Sequence, residues 1–173
     1  LQDVAMALLL GAIGGTPWAA ASIDGFAEAL SDTIASPALD PAFKALTLNL
    51  PSESLVARTI GSNVDPDRVR AVRLKLIADL VARLEPALQA AYAGNAVTVP
   101  YSTDTAQSGR RALRNMCLAL LVVGGSAAGA RLAREQYDAA TNMTDRFAAL
   151  SSAVQGWTGD AEALLGNFRT MFT

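Results

Sequence analysis

A chain of 173 residues is long enough for one compact domain with a real core, or for a short array of repeats. Hydrophobic residues make up 51% of it but aromatic ones only 6%, so the apolar content is mostly Ala, Leu and Val, a mix that favours helix–helix packing and predicts an all-α protein. The net charge of −2 carries no dominant basic field, which excludes nucleic acid as a partner, and the absence of histidine removes the usual metal-binding, nucleophilic and general acid–base arrangements.

Helix signals alternate with breakers along the whole chain. A first helix covers Gln2 to Ile13 and is stopped by Gly14-Gly15, with Pro17 following. The next runs from Ser22 to Ala35, with Ile23, Phe26, Ala27, Leu30 and Ile34 at helical spacing. Asp40-Pro41 opens a short helix ending near Leu50-Pro51, and Ser52 opens another with Leu55, Val56 and Ile60 on one face and Gly61 as its stop. Asp65-Pro66 then starts a long helix to about Ala93, striped by Val69, Val72, Leu76, Ile77, Leu80, Leu84 and Leu88. Pro86 predicts a kink or break between Ala82 and Pro86, because proline lacks the N–H that the carbonyl four residues back needs.

Val97 to Tyr101 reads as an extended connection, followed by a helix from Thr103 or Asp104 to Val123 that Gly124-Gly125 ends. Ser126 to Ala140, Met143 to Trp157 and Asp160 to Phe172 complete the set, with Trp157, Leu164, Leu165, Phe168, Met171 and Phe172 available for packing. About eight helices joined by short turns must lie as antiparallel hairpins whose apolar faces are buried by stacking, the logic of an armadillo- or HEAT-like α-solenoid. No clean repeat appears at the ~40–47 residue period of such arrays, which leaves a compact irregular bundle as the alternative.

Two apolar runs invite a membrane reading. Val4 to Gly15 lacks the basic leader of a signal peptide, and Leu118 to Ala130 falls short of the ~20 residues that cross a bilayer and is interrupted by glycines, so both are expected as buried helices. Cys117, the only cysteine, sits in the apolar run Met116 to Leu121 and is expected as a buried, inert thiol.

Little else carries chemistry. Gly124 to Gly129 lacks the lysine and preceding strand of a phosphate cradle, and its glycines fit a helix-ending turn and close helix packing. Asp65 and Asp67 suit the positive end of a helix; Asp79 with Glu85 is the one other carboxylate pairing to consider. Arg68, Arg70 and Arg73, and Arg110, Arg111 and Arg114, form two small basic clusters whose expected state is a solvated face, with acidic side chains of a neighbouring helix, or carbonyls and carboxylates of an adjoining domain, as the alternative. Catalytic, cofactor-binding and metal-ligating residues are therefore all predicted to be none.

The stretch Glu135 to Leu150 reads as a helix end, a tight connection and a new helix capped by Asn142, with Asp145 placing negative charge in its first turn. Its Asn142-Met143-Thr144-Asp145-x-x-x-Ala149-Leu150 pattern resembles a junction in the C-terminal helical domain of bacterial aminopeptidase N, the zinc-dependent alanyl aminopeptidases of the M1 family. Arg111-Ala112-Leu113-Arg114-Asn115-Met116-Cys117-Leu118 is similar to that family's Arg-x-Leu-(Arg/Lys)-Asn-x-Cys-Leu run. Leu50-Pro51-Ser52, Asp65-Pro66 and Tyr92 to Asn95 look like further family elements, so the likeness covers about Leu46 to Leu150.

The resemblance implies a cytoplasmic parent enzyme with zinc in a separate catalytic domain, which removes N-terminal residues from peptides. It implies that residues 1–173 are an incomplete piece of a helical domain that covers the active site, with the other domains of the parent as partners and peptides met only through the parent. None of the family's zinc ligands or its Gly-x-Met-Glu-Asn motif occurs here, so no family catalytic residue carries over. A stand-alone helical-repeat scaffold for another protein is the alternative. The Leu1 start suggests a chain cut from a longer one, and the helix Gln2 to Ile13 is then expected to leave its apolar face exposed or to cover it with a second copy.

Overall fold

The structure is a computed structural model in which residues 1–171 are described. Nine helices and no strand occur among them: α1 (Gln2–Ile13), α2 (Ala20–Ala35), α3 (Pro41–Leu48), α4 (Glu53–Ile60), α5 (Pro66–Gly94), α6 (Thr105–Val123), α7 (Ala127–Ala139), α8 (Met143–Gln155) and α9 (Ala161–Met171). Each corresponds to a helix placed along the sequence, one more than the rounded total of about eight. Phe172, expected to end the last helix and to pack, lies outside the described residues.

Local chemistry sets the boundaries. Asp40, Ser52, Asp65, Asp104, Ser126 and Asn142 each accept a hydrogen bond from a backbone N–H in the first turn of α3, α4, α5, α6, α7 and α8, satisfying donors that have no partner within the helix. Pro41 and Pro66 occupy the first helical position, where a missing N–H is harmless. Three helices, α1, α6 and α8, end in the same paired closure: the N–H of Thr16, Ser126 or Thr158 reaches back to the carbonyl of Gly11, Leu121 or Ala153. The residue between takes a left-handed backbone, φ +97° at Gly15, +83° at Gly125 and +49° at Trp157.

Helix α5 lies at the centre, packed by α1, α2 and α4 and by α6, which in turn carries α3, α7 and α8; α9 lies against α8. One continuous core results. It runs from Leu9 and Phe26 through Leu76, Leu80 and Leu88 to Leu118, Leu121 and Leu150. Contacts between neighbours in sequence from α4 to α9, with α6 also on α8 and with α2 on α5 and α3 on α6, give a stacked, solenoid-like arrangement.

The apolar spacing of α2 is met in full, with Ile23, Phe26, Ala27, Leu30 and Ile34 all buried. In α5 every stripe residue is buried except Val72, which is partly so, and Val81 and Tyr92 join them. Small residues allow close approach near the α6–α7 turn. A Cβ on Gly129 would stand 2.7 Å from the Leu121 carbonyl carbon, and one on Gly124 would stand 2.5 Å from Val81 Cγ2.

Several expectations need correction. The break allowed for at Pro86 does not occur: α5 is one helix through it, and Pro86 and Ala82 are both exposed, so water can serve the freed Ala82 carbonyl. Trp157, 71% exposed, and Leu165 and Met171, also exposed, do not pack into the core; Leu164 alone is buried, with Phe168 partly so. Helix α1 is covered within the chain, since Ala5 and Leu9 are wholly buried and α1 lies on α4 and α5, while Leu1 and Val4 stay exposed. No helix among the described residues is long and apolar enough to cross a membrane.

Candidate functional site

The two motifs of highest information content, far apart in sequence, meet in space. Helix α6 presents Arg114 and Asn115 to the end of α5, the end of α7 and the start of α8, and a polar cleft of about 190 Å³ lies there, lined by Arg111, Arg114, Gln136, Asn142 and Asp145 among others.

Arg114 is its anchor. Its guanidinium stacks 3.8 Å from the centre of the Tyr92 ring and donates to the Tyr92 carbonyl at 2.9 Å and the Tyr92 hydroxyl at 2.8 Å. Its Nε donates to Gln136 Oε1 at 3.2 Å, and Gln136 Nε2 donates onward to Asn115 Oδ1 at 2.8 Å and the Asp145 carbonyl at 3.0 Å. Asn115 Nδ2 and Asn142 Nδ2 both donate to the Asp145 carboxylate, and Asp145 N–H donates back to Asn142 Oδ1 at 2.9 Å. Burial pushes the Tyr92 phenol above its ordinary pKa, against the opposing pull of the Arg114 charge, so it stays a neutral hydrogen-bonding group.

The flanking arginines hold the connection between α5 and α6. Arg111 is 4% exposed, donates to Gln107 Oε1 at 3.0 Å and to the Ser102 carbonyl, and lies 4.4 Å from the Tyr101 ring centre. Arg110 donates to the Gly94 and Ala96 carbonyls. The other cluster works in the same way: Arg68 reaches the Ala12 carbonyl, Arg73 the Pro51 carbonyl and Arg70 the Glu53 carboxylate at 3.5 Å. Both clusters therefore hold chain connections through carbonyls and a carboxylate, in place of the solvated face expected.

The carboxylates are likewise engaged one by one. Asp65 caps α5 and Asp67 sits in its first turn. Asp79 and Glu85 are not paired: Asp79 accepts from Trp18 Nε1 and Lys75 Nζ, whereas Glu85 accepts from Ser126 Oγ and Gln89 Nε2. Burial alone would raise the Asp79 pKa, but the bonds from Lys75 and Trp18 outweigh it and leave the carboxyl below its usual value. Cys117 is wholly buried and its thiol is pushed up to about 12 by desolvation.

The arrangement can fasten helices. No buried side-chain nitrogen or oxygen among the described residues lacks a hydrogen-bond partner, and no group of three or more His, Cys, Asp or Glu among them could hold a metal ion. Sequence reasoning missed Gln136, 5% exposed and bonded to three residues. Its one signal was an amide directly beside Tyr137, on the face of α7 that also buries Gly129 and Ala133.

Residues 1–173 match the family described as "Domain of unknown function (DUF3458_C) ARM repeats". The chain is similar to Aminopeptidase N of Caulobacter vibrioides, 33% identical over 149 residues, which cover 86% of this chain and 17% of the relative. It is also similar to Aminopeptidase N of Escherichia coli K12, 32% identical over 142 residues, covering 82% of this chain and 16% of the relative. A crystal structure of Legionella pneumophila aminopeptidase A in complex with aspartic acid shares the fold, with a TM-score of 0.77 and 16% identity over 96% of this chain and 20% of that one. The chain thus spans about one sixth of the length of the curated relatives it matches. A full-length match to the repeat family, on a chain of stacked helices whose Arg111 to Leu118 and Asn142 to Leu150 motifs interlock, places it among the C-terminal ARM-repeat helical domains of aminopeptidase N-like proteins.

Proposed function

We propose that residues 1–173 form a non-catalytic part of a cytoplasmic, zinc-dependent aminopeptidase of the M1 type, which removes N-terminal amino acids from peptides. In this reading zinc, the reacting groups and the peptide site belong to other domains of the parent, and this helical segment lies over the active site and narrows access to it. The observation that carries the reading is a match to about one sixth of two Aminopeptidase N relatives by a chain without histidine. A group of partly buried, mutually bonded polar residues that fastens α5, α6, α7 and α8 suits a rigid wall, since each helix end is held by its neighbours.

Two measurements test it. The 173-residue chain with added zinc is expected to leave alanyl-p-nitroanilide intact, and turnover by it would overturn the separation of roles. The longer polypeptide containing it is expected to cleave di- to tetrapeptides much faster than the N-termini of folded proteins; equal rates would remove the access-restricting role.

A further inference from the structure

The gap between the ends of α2 and α5 differs from the Arg114 cleft in what its polar groups do. A pocket of about 290 Å³ lies there, walled by the last turns of both helices, the start of α3 and Leu113 of α6. The α5 wall is made of small side chains, Ala87 and Ala91 among them, and Ala35 and Gly94 on the lining are exposed, so solvent reaches it. In the Arg114 cleft the polar side chains bond to one another. Here they do not. Asn95 uses its Nδ2 on the Ala91 carbonyl at 2.8 Å, whereas neither Asn95 Oδ1 nor Ser31 Oγ has a hydrogen-bond partner among the described residues. Lys44 Nζ donates to the Ile34 carbonyl at 2.8 Å, which leaves two of its three N–H groups unused.

Charge narrows what such a pocket can hold. No Asp or Glu lines it, so nothing on its wall neutralises the Lys44 ammonium. The opposite polarity comes from the backbone: α2 and α5 both end there, neither has a basic residue in its last turn, and the final carbonyls of a helix carry about half a negative charge. A cationic donor on one side, helix ends with a spare amide oxygen on the other, and apolar wall between them are the complement of a small zwitterion with an aliphatic body. We infer that this pocket binds a free aliphatic amino acid, with its carboxylate on Lys44 and Ser31, its ammonium on Asn95 Oδ1 and the helix-end carbonyls, and its side chain against Ile34, Ala87 and Leu113. The volume lies just below the ~300–1,000 Å³ of sites for drug-sized ligands, as a molecule this small requires. The ligand class is read from the pocket and goes beyond the function proposed above, under which such a molecule is what the parent enzyme releases.

L-Leucine is the probe, titrated into the 173-residue chain and followed by amide NMR. Saturable shifts are expected at the end of α2, the start of α3 and the end of α5, with a Kd of about a millimolar, the strength open to so small a ligand. Lys44→Gln, whose amide can still donate to the Ile34 carbonyl, is expected to weaken binding by about tenfold, and Lys44→Arg, which keeps the charge, by less than about threefold. Ala87→Leu, which fills the pocket, is expected to abolish binding while the spectrum stays that of the folded chain. Absence of saturable shifts would overturn the assignment, and so would Lys44→Gln binding as tightly as the unaltered chain or Lys44→Arg binding as weakly as Lys44→Gln. So would 4-methylpentanoate or 3-methylbutylamine matching leucine, since the pocket would then read one end of the molecule only. Leucine binding needs no catalysis. A longer polypeptide without peptidase activity therefore removes the proposed function and leaves this inference standing, whereas a chain that ignores leucine does the reverse.

Discussion

Cys117 shows how one apolar site fixes chemical behaviour. Its sulfur lies in the core of α6 beside Leu113, Leu118 and Leu121, all buried, and desolvation disfavours the thiolate, so the folded thiol titrates near 12 against about 8.5 to 9 when unfolded. A pKa raised on folding stabilises the protein in full below the unfolded value, and that contribution is lost as pH rises towards the folded one. The urea midpoint is therefore expected to fall between pH 9 and 12, with a slope from this group approaching about 1.4 kcal/mol per pH unit. Tyr92, also raised by burial, adds to the fall in the same sense. Cys117→Ala should flatten the profile, and an unchanged slope in that variant would show that Cys117 does not cause it. This residue was legible from its apolar neighbours. The arginines were not, because their partners, the carbonyls of Ala12, Pro51 and Ser102, come from connections whose position no local pattern encodes.

At the scale of the element, α8 depends on what precedes it. Asn142 accepts from Asp145 N–H and donates to its carboxylate, so one short side chain both caps the helix and fixes the acid that Asn115 also holds. Asn142→Ala is expected to cost about 1–2 kcal/mol in chemical denaturation, and Asn142→Asp to restore less than Asn142→Ser, since a second carboxylate would face Asp145. Equal stability of all three would show that the cap contributes nothing. Such caps are strongly written in sequence, and Asp40, Ser52, Asp65 and Asn142 all act where their identity and the following turn indicate. The end of α8 was misread for the opposite reason. Trp157 is apolar and follows a helical run, and only tertiary contact reveals that Gly156, by fitting against Val122, turns it outward.

Across the whole molecule, packing is unequal. Helices α5 and α6 share the core with most of the other elements, whereas α9 rests on α8 and on the Tyr137 hydroxyl, which donates to the Leu164 carbonyl and to Asn167. Amide exchange is expected to be slowest in the middle of α5 and α6 and fastest, among helices, in α9; uniform protection would mean that the stack opens only as a unit. The class of stacked helices was readable from alternating helices and short turns, whereas the packing of α2 on α5 and α3 on α6 was not. The joint of Tyr92, Arg114, Asn115, Gln136 and Asp145 was not, since it joins residues up to 53 positions apart through side chains that each look like ordinary surface polar groups.

That joint has a bearing on how such domains diverge and how they can be recombined. Its members sit on four helices, yet Gln136 contacts partners on α6 and α8 at once, so replacing it alone takes one hydrogen bond from Arg114 and one from Asn115 together. Their mutational effects will not sum, and a graft of α7 and α8 from one relative into another will keep its grip only when the matching turn of α6 travels with it.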